Sequence, residues 1–370
     1  MPHNLHATPA TFATTPLGFY TYHTPEEDPL QYRLHLRVLP DETGILIVNA
    51  TSILRLNPTG TYIAWLKMRG MSEREIVELS LQRYQVEEAA LEHDLQVFNQ
   101  EIIHIINNPD QAPNLADTGF DSLSTEAPSD VALRVNLCLT DRWEEQAGAD
   151  EELSTEQWKM IIQKVFDAGI PQVIFIGGEP TLRSDLVDLL SFTEQLGMVS
   201  GLLSASPRLY QDPDYLDTLL NSGLDHLILE FDPESNQDIK LLQPIFDQDL
   251  FTCIRFPVHY HSELFAWTKA LVAAGANAFS FYAAELDAHD QSAHLNQQLT
   301  NHNIQIEYDL PSLFYPGLTQ QAKLFSPEVS GQEPVYYTVM PDGRVTPQDF
   351  PGHNLGSLIT TDWHELIVKL

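Results

Sequence analysis

The feature that most constrains the fold is a regular alternation of strand-like and helix-like segments across residues 131–308. Short apolar runs bounded by turn residues predict buried strands, and the amphipathic segments between them predict helices. This alternation predicts an α/β unit with a mostly parallel sheet, open or curled into a partial barrel. The predicted strands are 131–139, 172–176, 199–204, 226–231, 251–258, 278–283 and 304–308, and the predicted helices are 155–168, 185–196, 214–221, 237–246, 263–274 and 288–301.

Ligands of parallel sheets bind at the carboxyl ends of the strands, where the loops that follow the strands come together. A site is therefore expected in the loops after Leu139, Ile176, Ser204, Phe231 and Val258.

A smaller unit precedes the α/β pattern. Strand-like runs at 32–38 and 45–49 predict an antiparallel sheet, and three helical patterns follow them between residues 59 and 106. Strands followed by three short helices favour a winged-helix-like α+β domain. Residues 1–30, which are rich in Pro and Thr, predict a flexible arm, and the polar stretch 108–130 predicts a linker.

The charge of the chain is strongly acidic, with 52 Asp and Glu against 19 Lys and Arg and a net charge of −33. Such a charge repels phosphate backbones and anionic lipids, so neither nucleic acid nor a membrane is an expected partner. No apolar run reaches the roughly 18 to 20 residues of a membrane span, and we expect a cytoplasmic protein. Solubility, a saline habitat or attraction to a basic peptide would each explain the acidity.

The potential metal ligands are few. The two cysteines, Cys138 and Cys253, lie in apolar strand-like runs, which predicts buried inert thiols and excludes a disulfide framework. Imidazole and carboxylate groups also gather in two short stretches, but 14 histidines in one chain produce such clusters by chance, and we predict no metal site. These groups are His259, His261, Asp287, His289, Asp290 and His294.

One segment, VIFIGGEPTLR at residues 173–183, resembles the GGEP segment with which radical S-adenosylmethionine (SAM) proteins bind the amino group of SAM. The resemblance implies a partial (βα)6 TIM-type barrel. It also implies a remnant SAM site formed by Gly177, Gly178, Glu179 and Pro180.

The same family carries Cys-x-x-x-Cys-x-x-Cys in the loop after its first strand, introduced by Leu-Thr-x-Arg-Cys. The corresponding text here is LTDRW at residues 139–143, and Trp143, Ala147 and Asp150 occupy the three cysteine positions. A site-differentiated [4Fe-4S] cluster takes three thiolates. We therefore expect no iron-sulfur cluster, no radical chemistry and no required cofactor, with residual SAM binding left open.

Both ends of the chain carry further resemblances. LNPTG at 56–60 and the helical text at 83–98 resemble PqqD-like peptide-recognition domains, in which a leader peptide docks against the sheet edge beside the last helix. The resemblance implies a peptide site formed by Ile45, Leu46, Ile47, Val48 and Asp94.

At the other end of the chain, residues 336–366 resemble a SPASM-type extension without its cysteines.

These resemblances predict a PqqD-like domain at 31–107, a radical-SAM-like barrel at 131–312 and a SPASM-like extension at 313–370. We expect a pseudoenzyme, not an enzyme, that acts as a peptide- or protein-binding scaffold or chaperone in peptide modification or cofactor maturation. An active modifying enzyme is a candidate partner. The alternative is an enzyme that keeps SAM or another small ligand in the barrel for non-radical chemistry through Glu179, Glu230 or Asp232.

Overall fold

The computed structural model describes residues 14–24, 32–48, 52–107, 132, 134–143, 152–231, 238–258, 264–283, 337–347 and 353–367. The chain divides into two compact units, Met1–Thr125 and Glu126–Leu370. No helix in these described ranges is long and apolar enough to cross a bilayer.

The first unit contains a four-stranded antiparallel sheet in the order β1-β2-β3-β4. The predicted pair is present as β2, Arg33–Val38, and β3, Gly44–Val48. Two further strands flank this pair: β1, Gly18–His23, and β4, Ser52–Leu56. The strand β1 lies inside the segment that the sequence predicts to be a flexible arm, and the side chains of Tyr20 and Tyr22, at alternate positions, pack against the core.

Three helices follow the sheet, as predicted: α1 is Pro58–Met68, α2 is Glu73–Arg83 and α3 is Glu88–Asn107. Polar caps fix where they begin, since Asn57 accepts from the Gly60 N–H and Ser72 forms the predicted capping box with Glu75. Apolar side chains from all three helices join those of the sheet in one core.

The second unit is built on a nine-stranded sheet in the order β10-β9-β8-β7-β6-β5-β11-β12-β13. Its first six strands along the chain are parallel neighbours in sequential order, as the βα alternation predicts. They are β5 (Arg134–Thr140), β6 (Gln172–Gly177), β7 (Val199–Ser204), β8 (His226–Glu230), β9 (Phe251–Val258) and β10 (Ala278–Ala283).

Helices connect these strands in the predicted positions, and Ser154 with Gln157 forms the predicted capping box of the first. The described helices are α4 (Thr155–Asp167), α5 (Leu186–Gln195), α6 (Arg208–Gln211), α7 (Pro213–Asn221), α8 (Gln243–Phe246), α9 (Leu264–Ala274) and α10 (Trp363–Ile367). The predicted helix 288–301 and strand 304–308 lie outside the described residues.

The C-terminal segment extends this sheet. The strand β11, Tyr337–Val339, pairs parallel with β5, and β12, Arg344–Pro347, and β13, Gly356–Ser357, continue antiparallel. The domain boundaries given above stay predictions. The α/β fold with a mostly parallel sheet, preceded by a small antiparallel sheet with helices, is confirmed.

One face of the parallel strands carries an apolar cluster that contains both cysteines. We call it the sheet-face cluster; its buried members are Cys138, Ile174, Ile176, Leu203, Ile228, Cys253 and Ala278. Neither cysteine forms a disulfide and both are buried, as predicted, and burial raises the pKa of Cys138 well above its usual range.

His226 begins β8 and is buried on this same face, two residues before Ile228. Its ring lies against Gly201 in the neighbouring strand, where an added Cβ would be 2.3 Å from the imidazole carbon Cε1. Burial lowers the pKa of His226 to about 4, against the opposing charge of Asp225.

Candidate functional site

The GGEP loop leaves β6 at the carboxyl edge of the sheet and closes against the end of β5. The Gly178 N–H donates to the Thr140 carbonyl at 2.8 Å, and the Glu179 N–H donates to the Arg142 carbonyl at 2.7 Å. A Cβ on Gly177 would lie 2.4 Å from the Thr140 oxygen, and one on Gly178 would lie 2.0 Å from the Arg142 oxygen. The approach of two backbones therefore requires both glycines.

The Glu179 side chain, 6% exposed, joins the GGEP loop to the end of β7. Its Oε1 accepts from the Thr181 N–H at 3.0 Å, the Thr181 hydroxyl at 2.7 Å and the Ser204 hydroxyl at 2.8 Å. Its Oε2 accepts from the Ala205 N–H at 2.9 Å. The carboxylate that the sequence assigns to a ligand amino group is thus engaged by four donors of the chain itself. Pro180 opens a short 3₁₀ turn, Pro180–Leu182.

Next to this loop lies a buried network of ion pairs. Arg183, whose side chain is 7% exposed, binds Glu152 at 3.3 Å and Asp185 at 2.7 Å, and Arg142 binds Glu152 at 3.0 Å. Arg183 also donates to two backbone carbonyls, those of Leu139 and Leu153. This network was not predicted from the sequence. Its charged side chains are largely removed from water, so a charge that loses its partner there costs folding free energy.

A second buried pair joins the end of β8 to the middle of β9. Glu230 and Arg255 are register partners, and a guanidinium nitrogen lies 3.5 Å from a carboxylate oxygen. Their side chains are 13% and 1% exposed, and Ser280, the register partner of Arg255 on β10, is 3% exposed. These groups share the face of the sheet-face cluster, since Ile228 precedes Glu230 by two residues. Asp232 lies outside the described residues.

A groove of about 1000 Å³ runs between the 3₁₀ turn and the helices α6 and α7. On its wall the Arg208 guanidinium stacks over the Tyr215 ring at 3.6 Å and pairs with Asp212 at 3.2 Å. Burial raises the pKa of Tyr215 to about 12. The i,i+4 spacing of Arg208 and Asp212 is the one signal by which the sequence could have indicated this pair.

The structure places the predicted peptide-binding residues in the first unit, but not at an edge. Ile45–Val48 belong to β3, which pairs with β2 on one side and β4 on the other, and all four side chains are buried. A peptide cannot add as a strand beside β3 because both of its hydrogen-bonding edges are used, and the peptide-binding role of these residues stays a prediction. Asp94 lies on α3, half-buried, and burial raises its pKa.

The parallel sheet and the GGEP loop at its carboxyl edge resemble the α/β unit of radical SAM proteins. Residues 138–242 match the model of the Radical SAM superfamily. The solved structure of Streptococcus suis SuiB bound to S-adenosylmethionine aligns with a TM-score of 0.52 at 14% identity, covering 90% of this chain and 86% of SuiB. SuiB bound to the precursor peptide SuiA gives the same values. At this identity the likeness shows the fold alone.

The curated relatives are more specific. The PqqA peptide cyclase of Rhodopseudomonas palustris is 37% identical over 87 residues, which cover 24% of this chain and 22% of the cyclase. The PqqA peptide cyclase of Gluconobacter oxydans is 39% identical over 80 residues, 22% of each chain. The match thus spans about a fifth of the length of these relatives.

These matches correct two expectations. The expectation that the chain is not an enzyme is wrong, because its matching relatives are peptide cyclases of a radical SAM family. The expectation that it has no cofactor is wrong too, because the family whose model matches binds SAM and an iron-sulfur cluster. The site therefore has to be compared with the sites of enzymes that bind SAM and an iron-sulfur cluster.

The donor set of this chain does not fit the cluster of that family. Three thiolates are required, and the chain has two cysteines, which are buried on β5 and β9 in the sheet-face cluster. Trp143, the first of the three corresponding positions, is 43% exposed, and Ala147 and Asp150 lie outside the described residues. The histidine and aspartate stretches from His259 onward also lie outside them.

Proposed function

We propose that this chain takes part in the modification of a peptide and binds that peptide through its N-terminal unit. Support comes from relatives named PqqA peptide cyclase and from the fold shared with SuiB, which is known bound to its precursor peptide SuiA. The observation that carries the proposal is a four-stranded sheet whose outer strands each have one neighbour among the described residues, in a chain whose residues 138–242 match the Radical SAM superfamily model.

The proposed mode of binding is addition of the peptide as a further strand. Within the described residues, β1 pairs only with β2, and β4 pairs only with β3. The outer edge of each strand offers main-chain N–H and C=O groups, which give affinity, while pockets for alternate side chains give choice. On β1 the side chains of Thr21 and His23 are exposed.

The test uses the PqqA and SuiA peptides as probes, each with two patterns of backbone N-methylation on alternate residues. In an antiparallel pair only every second residue of the added strand points its N–H at its neighbour. Strand addition therefore predicts that one pattern abolishes binding to the full chain and the other leaves it nearly unchanged. Equal effects of the two patterns, or no saturable binding of either peptide, would contradict the proposal.

A peptide bound in this way has one of two roles. It is modified by the second unit of this chain, or the chain presents it to a partner enzyme that modifies it. Co-purification with such an enzyme, in the presence and absence of the peptide, separates these two roles. The PqqD-like and SPASM-like assignments and the cytoplasmic location remain predictions.

A second candidate function is small-ligand binding at the carboxyl edge of the sheet, and the Glu230–Arg255 pair favours it. Opposite charges 3.5 Å apart could exchange partners with the amino and carboxylate groups of a ligand such as SAM. Titration calorimetry with SAM tests this function. Binding that weakens in Glu230→Gln but persists in the exposed variant Glu156→Gln would support it, and no heat of binding would contradict it.

A further inference from the structure

A groove runs between α2 and α3 in the first unit, away from the strand edges considered above. It has a volume of about 800 Å³. Its lining on α3 extends from Glu88 to Ile103, a length of roughly 22 Å at 1.5 Å per residue. A groove of that length accommodates about four turns of a helix or a short extended segment.

The floor of the groove is apolar. Val77 of α2 and Leu95 of α3 are 7% and 2% exposed, whereas Ile103, two turns beyond Leu95 on the same face, is 48% exposed. A large aliphatic side chain left half in water at the end of an apolar row is the kind of surface that a partner covers.

The rim of the groove is acidic. Its carboxylates are Glu73, Glu78, Glu88 and Glu92, and its one guanidinium, that of Arg74, is already paired with Glu78 at 2.8 Å. The net charge of the rim is therefore negative, and the surplus lies on the α3 side at Glu88 and Glu92. In a chain of net charge −33 this local charge adds to a field that draws in cations.

Side-chain bonds fix the relative positions of the helices that form the groove. Asn99 of α3 donates to Glu73 of α2 at 2.8 Å and accepts from Lys67 of α1. The Lys67 ammonium donates to Asn99 and faces Glu73 of α2. It therefore does not neutralise the carboxylates of Glu88 and Glu92 on the α3 side of the groove. A groove held from three helices is formed before its partner arrives, which lowers the entropy cost of binding.

We propose that this groove binds a basic amphipathic peptide segment, with aliphatic side chains on the Val77–Leu95–Ile103 floor and Lys or Arg side chains on the glutamate rim. The inference rests on the proposed peptide-binding function and names the chemistry of the peptide. It adds a second contact that is separate from strand addition, since α2 and α3 lie outside the sheet. Charge complementarity sets the rate of encounter, and the apolar row sets the affinity.

The experiment measures fluorescence anisotropy of a labelled 18-residue Leu/Lys amphipathic peptide, about the length of the groove, against the full chain. A Leu/Glu peptide of the same pattern is the probe control. The double variant Glu88→Gln/Glu92→Gln and the single variant Ile103→Ser are each expected to weaken binding by about tenfold. The double variant should also show a shallower dependence on salt.

Matched variants on the second unit control for the charge of the whole protein. The double variant Glu156→Gln/Asp217→Asn removes two carboxylates at exposed positions, and Val272→Ser removes an aliphatic group that is 46% exposed. Both are expected to bind the Leu/Lys peptide as the unchanged protein does. Circular dichroism verifies that all variants are folded, which the exposure of the replaced side chains favours.

Equal weakening in the groove and control variants would overturn the inference, because binding would then follow total charge. Unchanged binding in the groove variants would overturn it as well. Neither result bears on strand addition, which the N-methylated peptides test independently, so failure of this inference is distinguishable from failure of the proposed function.

Discussion

The Arg142 carbonyl oxygen lies where a side chain on Gly178 would have to begin, 2.0 Å from an ideal Cβ at that position. The same carbonyl accepts the N–H of the next residue, Glu179, at 2.7 Å, so it cannot withdraw without losing that bond. Gly178→Ala is therefore expected to lower the stability of the second unit by about 1–3 kcal/mol. Calorimetric unfolding measures the loss.

The control for that substitution is Gly70→Ala, because no atom lies within 4 Å of the Cβ it would add. Its positive φ of 75° leaves only a backbone cost of about 1 kcal/mol. A Gly178 variant as stable as the unchanged protein would show that the loops can separate.

The Glu179 carboxylate should act as a structural tie between the loop after β6 and the end of β7. Glu179→Gln turns one of its acceptor atoms into a donor, which leaves a buried N–H or hydroxyl without an acceptor and costs about 1–3 kcal/mol. In the variant we expect faster hydrogen exchange at the Ala205 amide, which in the unchanged protein donates to Glu179 Oε2. Unchanged protection of that amide would contradict the assignment.

Breaking the Arg183 network should be costly. Arg183→Met leaves Asp185 without its ion partner at 16% side-chain exposure, while Glu152 keeps its pair with Arg142, and the expected loss is about 3 kcal/mol. The matched control is Arg74→Met, whose pair with Glu78 is exposed at 88% and 56% and is worth about 0–1 kcal/mol. Similar urea midpoints for the two variants would argue against a buried network.

Stability should fall between pH 6.5 and pH 4 because of His226. Its pKa is about 4 in the folded chain against 6.5 for the ordinary group, so over that interval the unfolded state binds a proton that the folded state does not. The contribution is complete above pH 6.5 and amounts to about 3 kcal/mol. Unfolding free energies of the unchanged protein and His226→Gln should differ in slope across this range.

The control for the pH prediction is His353→Gln, which replaces an exposed histidine and should leave the slope unchanged. An equal slope in the His226 variant would mean that other groups cause the acid sensitivity.

The sequence predicted the order of strands and helices in the second unit because periodicity and caps are local signals. The Ser72–Glu75 and Ser154–Gln157 capping boxes, for example, formed as expected. The position of β3 inside the sheet was not predicted from the sequence, because a fully buried strand has the same apolar pattern at the edge of a sheet and in its interior. Which of the two it occupies depends on pairing with β4, whose short segment carries no clear signal of its own.

The candidate site was predicted in place but not in detail. The glycines and Glu179 lie at the carboxyl edge as the motif implies, whereas their hydrogen bonds to Thr140, Arg142 and Ser204 join residues 25 or more positions apart. Contacts at such separation follow from the packed fold and are not readable from spacing. The Glu230–Arg255 pair was hidden for the same reason.

The pairing of β11 with β5 has a consequence for how the chain is made. Val135 finds its neighbour Tyr337 only after about two hundred further residues have been synthesised. At translation speeds of 5–20 residues per second, one side of β5 stays open for roughly 10 to 40 s. During that interval the edge of a strand whose seven residues are all buried in the folded protein stays exposed, so we expect a nascent chain of this protein to bind holding chaperones until Tyr337–Val339 emerges.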